Sequence, residues 1–226
     1  MARDTILFDI NETVLDLASL RPKFEAVFGD AAVTSTWFAM LLHTSTVCAL
    51  TGVKTGFAAL AGTMLDSIAA RRNVAITAEQ RDGILGGFAS LTAHADVVPA
   101  LQKLHSSGYR TVAFSNSSLN LMTNQIANAG LTEHFDRIVS VEETGSFKPD
   151  AKVYRFVADQ LEREAADLRL VATHDWDTHG AICAGMEAGY IDRSGAPYHP
   201  LYHRPEVFAT EMGDVVAQIL AADAKA

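Results

Sequence analysis

The chain has 226 residues, 49% of them hydrophobic and 20% charged, which suits one globular domain with room for an insertion and excludes disordered and fibrous chains. Lys and Arg total 18 against 27 Asp and Glu, a formal charge of −9, and no Lys/Arg-rich run stands out. Neither nucleic acid nor an anionic membrane is therefore expected as a partner. Cys48 and Cys183 lie far apart among apolar or small residues and read as reduced thiols of a cytoplasmic protein.

Met1-Ala2-Arg3-Asp4 leads straight into an apolar run, with neither the length nor the cleavage pattern of a signal peptide. No apolar stretch is expected to reach membrane-spanning length. The first predicted element is a buried strand over residues 5–10 (TILFDI). Residues 16–96 then hold no convincing strand. Apolar residues recur there at helical spacing over 37–50 and 57–70, punctuated by Gly52, Gly56, Asn73, Gly86 and Gly87. Beyond this block the chain alternates. Helices are predicted over 98–105, 119–129, 151–161 and 178–188. Strands are predicted over 109–115, 137–141 and 168–173, with a weaker one over 189–192. An amphipathic helix over 208–226 closes the chain. Short apolar strands alternating with helices predict an α/β fold, a parallel sheet with helices on both faces. The helical block reads as a cap inserted after the first strand. The expected division is a core of residues 1–15 and 97–226 and a cap of residues 16–96.

Ligands of an open parallel sheet bind at the carboxyl ends of its strands. Those ends carry Asp9, Asn11 and Thr13, then Ser115, Asn116 and Ser117, then Lys148 before Pro149, then Thr173, His174, Asp175 and Asp177. Each has an ordinary reading. An Asp after a strand caps a helix or a turn, Ser115-Asn116 can cap the following helix, and a lone Lys is usually solvated. Four such clusters at successive strand ends point instead to a catalytic site.

These residues resemble the haloacid dehalogenase superfamily, with its Rossmann-like core. Its first motif is an Asp with a Thr four residues on, here Asp9 and Thr13 in FDINETVLD. The others match Ser115 in AFSNSS, Lys148 in FKPDAKVY and the acidic segment THDWDTHGA. Within the superfamily the chain looks most like the L-2-haloacid dehalogenases, through Ser115-Asn116, through Lys148-Pro149-Asp150 with Tyr154, and through Trp176-Asp177 before Gly180-Ala181. The resemblance implies that Asp9 is a nucleophile whose carboxylate Thr13 and Lys148 hold. Ser115, Asn116 and Ser117 would line the substrate carboxylate, with Asn11 also on the substrate's side, Asp177 would help activate water, and Tyr154 would stand behind them. It implies a small haloacid as substrate, no cofactor and no metal. In similar enzymes a helical cap supports a homodimer, an arrangement open to this chain.

Phosphatases of the superfamily are the rival reading. They carry an Asp two residues after the nucleophile to protonate the leaving alkoxide. Here that position is Asn11, whose amide cannot donate in that role. An early acid of their fourth motif helps hold magnesium, and the aligned residue here is Thr173; Asp175 lies two residues off. A halide leaving group needs no general acid, so these departures leave the dehalogenase reading untouched. The implied reaction is hydrolytic removal of halide from a short 2-haloalkanoic acid through an aspartyl ester. A third possibility is an inactive binding module on the same fold.

Three departures from the dehalogenase pattern stand out. Those enzymes usually read Asp-x-Tyr-Gly-Thr, whereas this chain reads Asp9-Ile10-Asn11-Glu12-Thr13. Glu12 is expected to face solvent or pair locally. The cap arginine that assists the departing halide is missing, and Phe38 stands closest to its place. Trp37 and His43 are candidates to line a halide cradle, with packing in an amphipathic helix an equal alternative. His174 occupies a position where Asn is common, and can share water activation with Asp177 or fix its orientation.

Overall fold

In the computed structural model, which describes residues 3–224, the run Thr-Ile-Leu-Phe forms β1 (Thr5–Phe8), buried on both faces. A tight turn leads to the two-residue β2 (Leu15–Asp16). Four helices follow: α1 (Arg21–Phe28), α2 (Val33–Thr51), α3 (Phe57–Arg71) and α4 (Ala78–Phe88). The chain returns through β3 (Thr92–Ala93), which pairs antiparallel with β2. It then alternates through α5 (Val97–Ser106), β4 (Arg110–Ser115), α6 (Leu119–Asn128), β5 (Arg137–Ser140), α7 (Ala151–Leu161), β6 (Leu168–Ala172), α8 (Asp175–Cys183) and β7 (Glu187–Ile191). The last elements are β8 (Val207–Ala209) and α9 (Met212–Asp223). Met1 and Ala2, and the last two residues of the expected C-terminal helix, lie outside the described residues.

The six-stranded sheet is parallel throughout, in the order β5-β4-β1-β6-β7-β8. Helices lie on both sides, α5 packing with α9 and α7 with α8. In register, Phe8 stands opposite Ala113 of β4 and Val171 of β6. The chain order reverses beside β1, so the carboxyl ends of β1, β4 and β6 open on one crevice.

Helices α1 to α4 pack on one another around a buried aromatic group. Trp37 stands 5.3 Å from Phe24 and 5.7 Å from Phe88, ring centre to ring centre, and its Nε1–H donates to the Ala61 carbonyl at 2.9 Å. Thr77 and Gln80 close a reciprocal cap on α4. Gly87 lies inside that helix because Leu20 and Lys23 come too close: an added Cβ would sit 2.8 Å from Leu20 Cδ2.

The structure corrects five expectations. Residues 16–96 do contain strands, since β2 begins at their edge and β3 closes the block. Neither α1 nor α4 was expected. The helix predicted over 178–188 starts at Asp175 and stops at Cys183; Gly185 then turns the chain at φ +91°, a conformation that suits glycine, and residues 187 and 188 join β7. Phe208 belongs to β8, where its ring meets Tyr190 of the neighbouring strand at 4.8 Å, and the last helix starts at Met212. Finally, α2 has 19 residues with a mean hydropathy of 1.2, long and apolar enough by composition to cross a membrane; here its face of Val33, Trp37, Phe38, Leu41 and Cys48 is buried against the protein. Cys48 and Cys183 are free thiols, the first buried and the second exposed.

Candidate active site

Strand β1 delivers Asp9 to the crevice, and the Asp9 N–H extends the ladder to the Val171 carbonyl at 3.0 Å. The carboxylate is buried and held at both oxygens. Lys148 Nζ donates to Oδ1 at 3.2 Å. Thr13 Oγ1 donates to Oδ2 at 2.9 Å, and His174 Nδ1 lies 3.1 Å from the same oxygen. Thr13 is fixed in turn, because its hydroxyl oxygen accepts the Thr173 N–H at 3.0 Å.

Lys148 is wholly buried rather than solvated. Its ammonium has three N–H groups and three acceptors: Asp9 Oδ1, Asp177 Oδ2 at 2.9 Å and the Phe114 carbonyl at 3.0 Å. The Phe114 ring lies 4.4 Å below it. Asp177, in the first turn of α8, is enclosed, and its other oxygen accepts the Tyr154 hydroxyl at 2.6 Å. Asn116 does not reach Asp9. Its Oδ1 accepts the Lys148 backbone N–H at 2.9 Å, which sets where the lysine enters.

These contacts fix the charges. Burial pushes the Asp9 carboxyl up, but Lys148, His174 and Thr13 outweigh it and hold it at about 2. Burial likewise opposes the Lys148 ammonium, while Asp177 and Asp9 raise it above its ordinary value. Burial raises the Asp177 carboxyl against the pull of Lys148. His174 is lifted to about 10: burial works against its cation, and the bonds to Asp9 and Glu12 more than offset that. At neutral pH the centre therefore holds an ionised Asp9 between an ammonium and an imidazolium.

Asn11 turns away from the Asp9 oxygens into a network of its own. Its Nδ2 donates to Ser117 Oγ at 3.2 Å and Ser115 Oγ at 3.4 Å, and its Oδ1 accepts Gln125 Nε2 at 3.1 Å. Gln125 also donates to the Phe88 carbonyl at 2.8 Å, which ties this network to α4. Phe38 reaches the site from α2, its ring centre 6.3 Å from that of His174. Trp37 and His43 do not. The Trp37 N–H is taken by Ala61, and His43 lies on the exposed face of α2 in a groove with Met64 and Arg71. Helical periodicity places the two on one helix, but only packing decides which face meets the nucleophile.

A cleft of about 470 Å³ opens beside His174, lined also by Glu12, Arg21, Ser35, His94 and Arg193. Glu12 is expected from the sequence to face solvent or pair locally. Its partner is distant in the chain: Glu12 Oε2 lies 2.9 Å from His174 Nε2. Gln125 was missed as well. No pattern in the chain signals either, since each acts on a residue more than a hundred positions away.

A model of haloacid dehalogenase-like hydrolases matches residues 3–169. The chain belongs to that family. This hydrolase is 28% identical over 193 residues to (S)-2-haloacid dehalogenase 1 of Pseudomonas sp. (strain CBS-3), covering 84% of this chain and 85% of the relative. It is 24% identical over 203 residues to an (S)-2-haloacid dehalogenase of Pseudomonas putida, covering 88% and 89%. Its fold is that of the L-2-haloacid dehalogenase from Xanthobacter autotrophicus, solved with chloropropionic acid covalently bound. The TM-score is 0.89 at 20% identity, over 96% of this chain and 98% of that one.

Magnesium, the ion of the family's phosphatases, does not fit this hydrolase's donor set. The Asp9 oxygens face Lys148 and His174, two cations that a divalent ion would have to displace. Asn11 Oδ1 is engaged by Gln125. Asp175 points away, its oxygens accepting the backbone N–H groups of Trp176 at 2.7 Å and His199 at 3.1 Å.

Proposed function

We propose that this hydrolase removes halide from short 2-haloalkanoic acids by nucleophilic attack of Asp9, through a covalent aspartyl ester and without metal. The observation that carries the reading is the Asp9 carboxylate, kept ionised and bonded at both oxygens by Lys148, Thr13 and His174. The relatives named (S)-2-haloacid dehalogenases and the structural neighbour with covalently bound chloropropionic acid support it.

In this reading Asp9 attacks the tetrahedral carbon next to the substrate's carboxylate. Halide leaves on the opposite side with the bonding electron pair, and needs no proton. Lys148 and His174 offset the repulsion between Asp9 and the anionic substrate. Ser115, Ser117 and Asn116 line the end of β4 where the substrate carboxylate lies, and Phe38 closes the site from the cap. Water then cleaves the ester at the Asp9 carbonyl, which leaves the configuration at the substrate carbon inverted. Tyr154 and Asp177 hold Lys148 in place. Residues 16–96 act as the cap domain over a core of 1–15 and 97–226.

The test is halide release from fluoro-, chloro- and bromoacetate and from both enantiomers of 2-chloropropionate, with and without a chelator. Halide and a 2-hydroxy acid are expected at a rate the chelator leaves unchanged. Asp9→Asn is expected to lower it by about 10⁴-fold or more. Turnover that survives Asp9→Asn excludes the ester, and magnesium-dependent phosphate release from p-nitrophenyl phosphate excludes the reading as a whole.

A further inference from the structure

We infer that Glu12 and His174 form the base that hydrolyses the Asp9 ester, Glu12 holding His174 Nε2–H while Nδ1 takes the proton of the attacking water. The inference deepens the proposed function and rests on it.

The first observation is geometric. One edge of the His174 ring meets Asp9 Oδ2 at 3.1 Å and the other meets Glu12 Oε2 at 2.9 Å. A histidine against the carboxyl group to be hydrolysed, with an acid on its far nitrogen to orient it, is an arrangement suited to deprotonating an attacking water. The ring is also held in plane: Trp176 stacks on it at 5.1 Å, and Phe38 lies 6.3 Å away.

The second observation is the backbone of Glu12. Its φ is +65°, a left-handed conformation that a long side chain rarely adopts. Neighbours fix it there. The Glu12 N–H donates to the Leu15 carbonyl at 2.8 Å, and its carbonyl bonds His94 Nε2 at 3.0 Å. A strained residue pinned this way, with its carboxylate aimed at the histidine on the nucleophile, fits a functional placement.

The third observation concerns access. The other acid of the site, Asp177, has no exposed surface, and its oxygens are taken by Tyr154 and Lys148. His174 and Glu12 line the cleft, so water arriving from solvent meets them first. The charged and titratable groups around His174 are Asp9 and Glu12 in contact, with Asp16, Arg21, His94 and Arg193 along the same cleft.

The protons balance. At rest His174 is an imidazolium between two carboxylates. Alkylation of Asp9 expels halide and removes one of those anions, so the imidazolium releases its proton to the cleft; halide and proton together are the hydrogen halide of the net reaction. Neutral His174 then takes a proton from water as its oxygen bonds to the Asp9 carbonyl carbon. Collapse breaks the ester C–O bond with the proton passing to the departing alkoxide oxygen. The carboxylic acid left on Asp9 returns its proton to His174, which restores the resting pair.

Rapid-quench kinetics with bromoacetate test this, with bromide measured beside the mass of the Asp9 peptide. In His174→Asn a bromide burst of one equivalent is expected, slowed by the loss of the cation beside Asp9 but far less than the steady rate. Steady turnover should then fall by about 100-fold while the carboxymethyl ester accumulates on Asp9. Glu12→Gln should show a smaller loss in the same step, and the double variant should be no slower than His174→Asn alone. A burst slowed as much as the steady rate, with no ester, makes His174 a positioning residue and overturns the inference, as does unchanged turnover in both variants. A wild type that forms neither bromide nor ester overturns the proposed function itself; a wild-type burst with no build-up in the variants overturns only the dyad.

Discussion

Lys148 uses all three of its N–H groups on Asp9, Asp177 and the Phe114 carbonyl, so removing its charge leaves Asp177 buried without a cation and Asp9 with His174 alone. Breaking a buried ion pair from one side costs about 3–5 kcal/mol. Lys148→Met is therefore expected to lose that much stability in urea unfolding, together with activity. The pH dependence follows from the direction of each shift. Asp9 is depressed to about 2 from 3.8, so its contribution is complete above the unfolded value and is lost as pH falls from 3.8 through 2. His174 is raised to about 10 from 6.5, so its contribution is complete below 6.5 and is lost as pH rises through 10. The gap in melting temperature between wild type and His174→Asn should therefore narrow between pH 6.5 and 10. A gap that stays constant or widens would show that His174 carries no charge in the fold.

At the scale of elements, the approach of α8 to α7 depends on one glycine. A Cβ on Gly180 would stand 2.6 Å from the Tyr154 hydroxyl and 2.8 Å from Pro149 Cβ, so the glycine lets Tyr154 reach Asp177. Gly180→Ala is expected to cost about 1–3 kcal/mol in thermal or urea unfolding despite alanine's better helix propensity. A stabilised variant would mean the helices can separate freely. On the cap side, α2 directs Phe38 toward His174 and Trp37 into the packing between α1 and α4. Trp37→Phe removes the indole N–H that the Ala61 carbonyl accepts beside its helical partner, at about 0.5–1.5 kcal/mol in urea unfolding. Halide preference in the haloacetate panel should be unchanged, and a shifted preference would return Trp37 to the halide's side.

At the scale of the molecule, one ion pair joins segments that lie far apart in sequence. Arg193, beyond β7, meets both oxygens of Asp96 at 2.7 and 2.9 Å and donates to the Thr13 carbonyl at 3.2 Å. Asp96 also accepts the Met212 N–H at 2.8 Å, at the start of α9. The turn that carries Thr13, the return from the helical block and the C-terminal helix are thus locked together. Asp96→Ala is expected to cost about 1.5–3 kcal/mol in urea unfolding and to lower kcat/KM by loosening the Thr13 turn. Normal activity alongside lost stability would separate the lock from the site.

The sequence by itself determined the central strands, whose apolar runs need no partner to be read. It also determined the residues at their carboxyl ends, because a parallel sheet brings those ends to one edge whatever else the chain does. Asp9, Ser115, Lys148, His174 and Asp177 were legible for that reason. Tertiary structure alone decided that Lys148 is sealed between two carboxylates and that Asn116 holds its backbone. It also turned Asn11 toward Gln125, removed Trp37 and His43 from the site, and joined Glu12 to His174. Each of these depends on side-chain direction and on contacts between distant residues. Local periodicity encodes which residues lie on an element, and not what packs across from them.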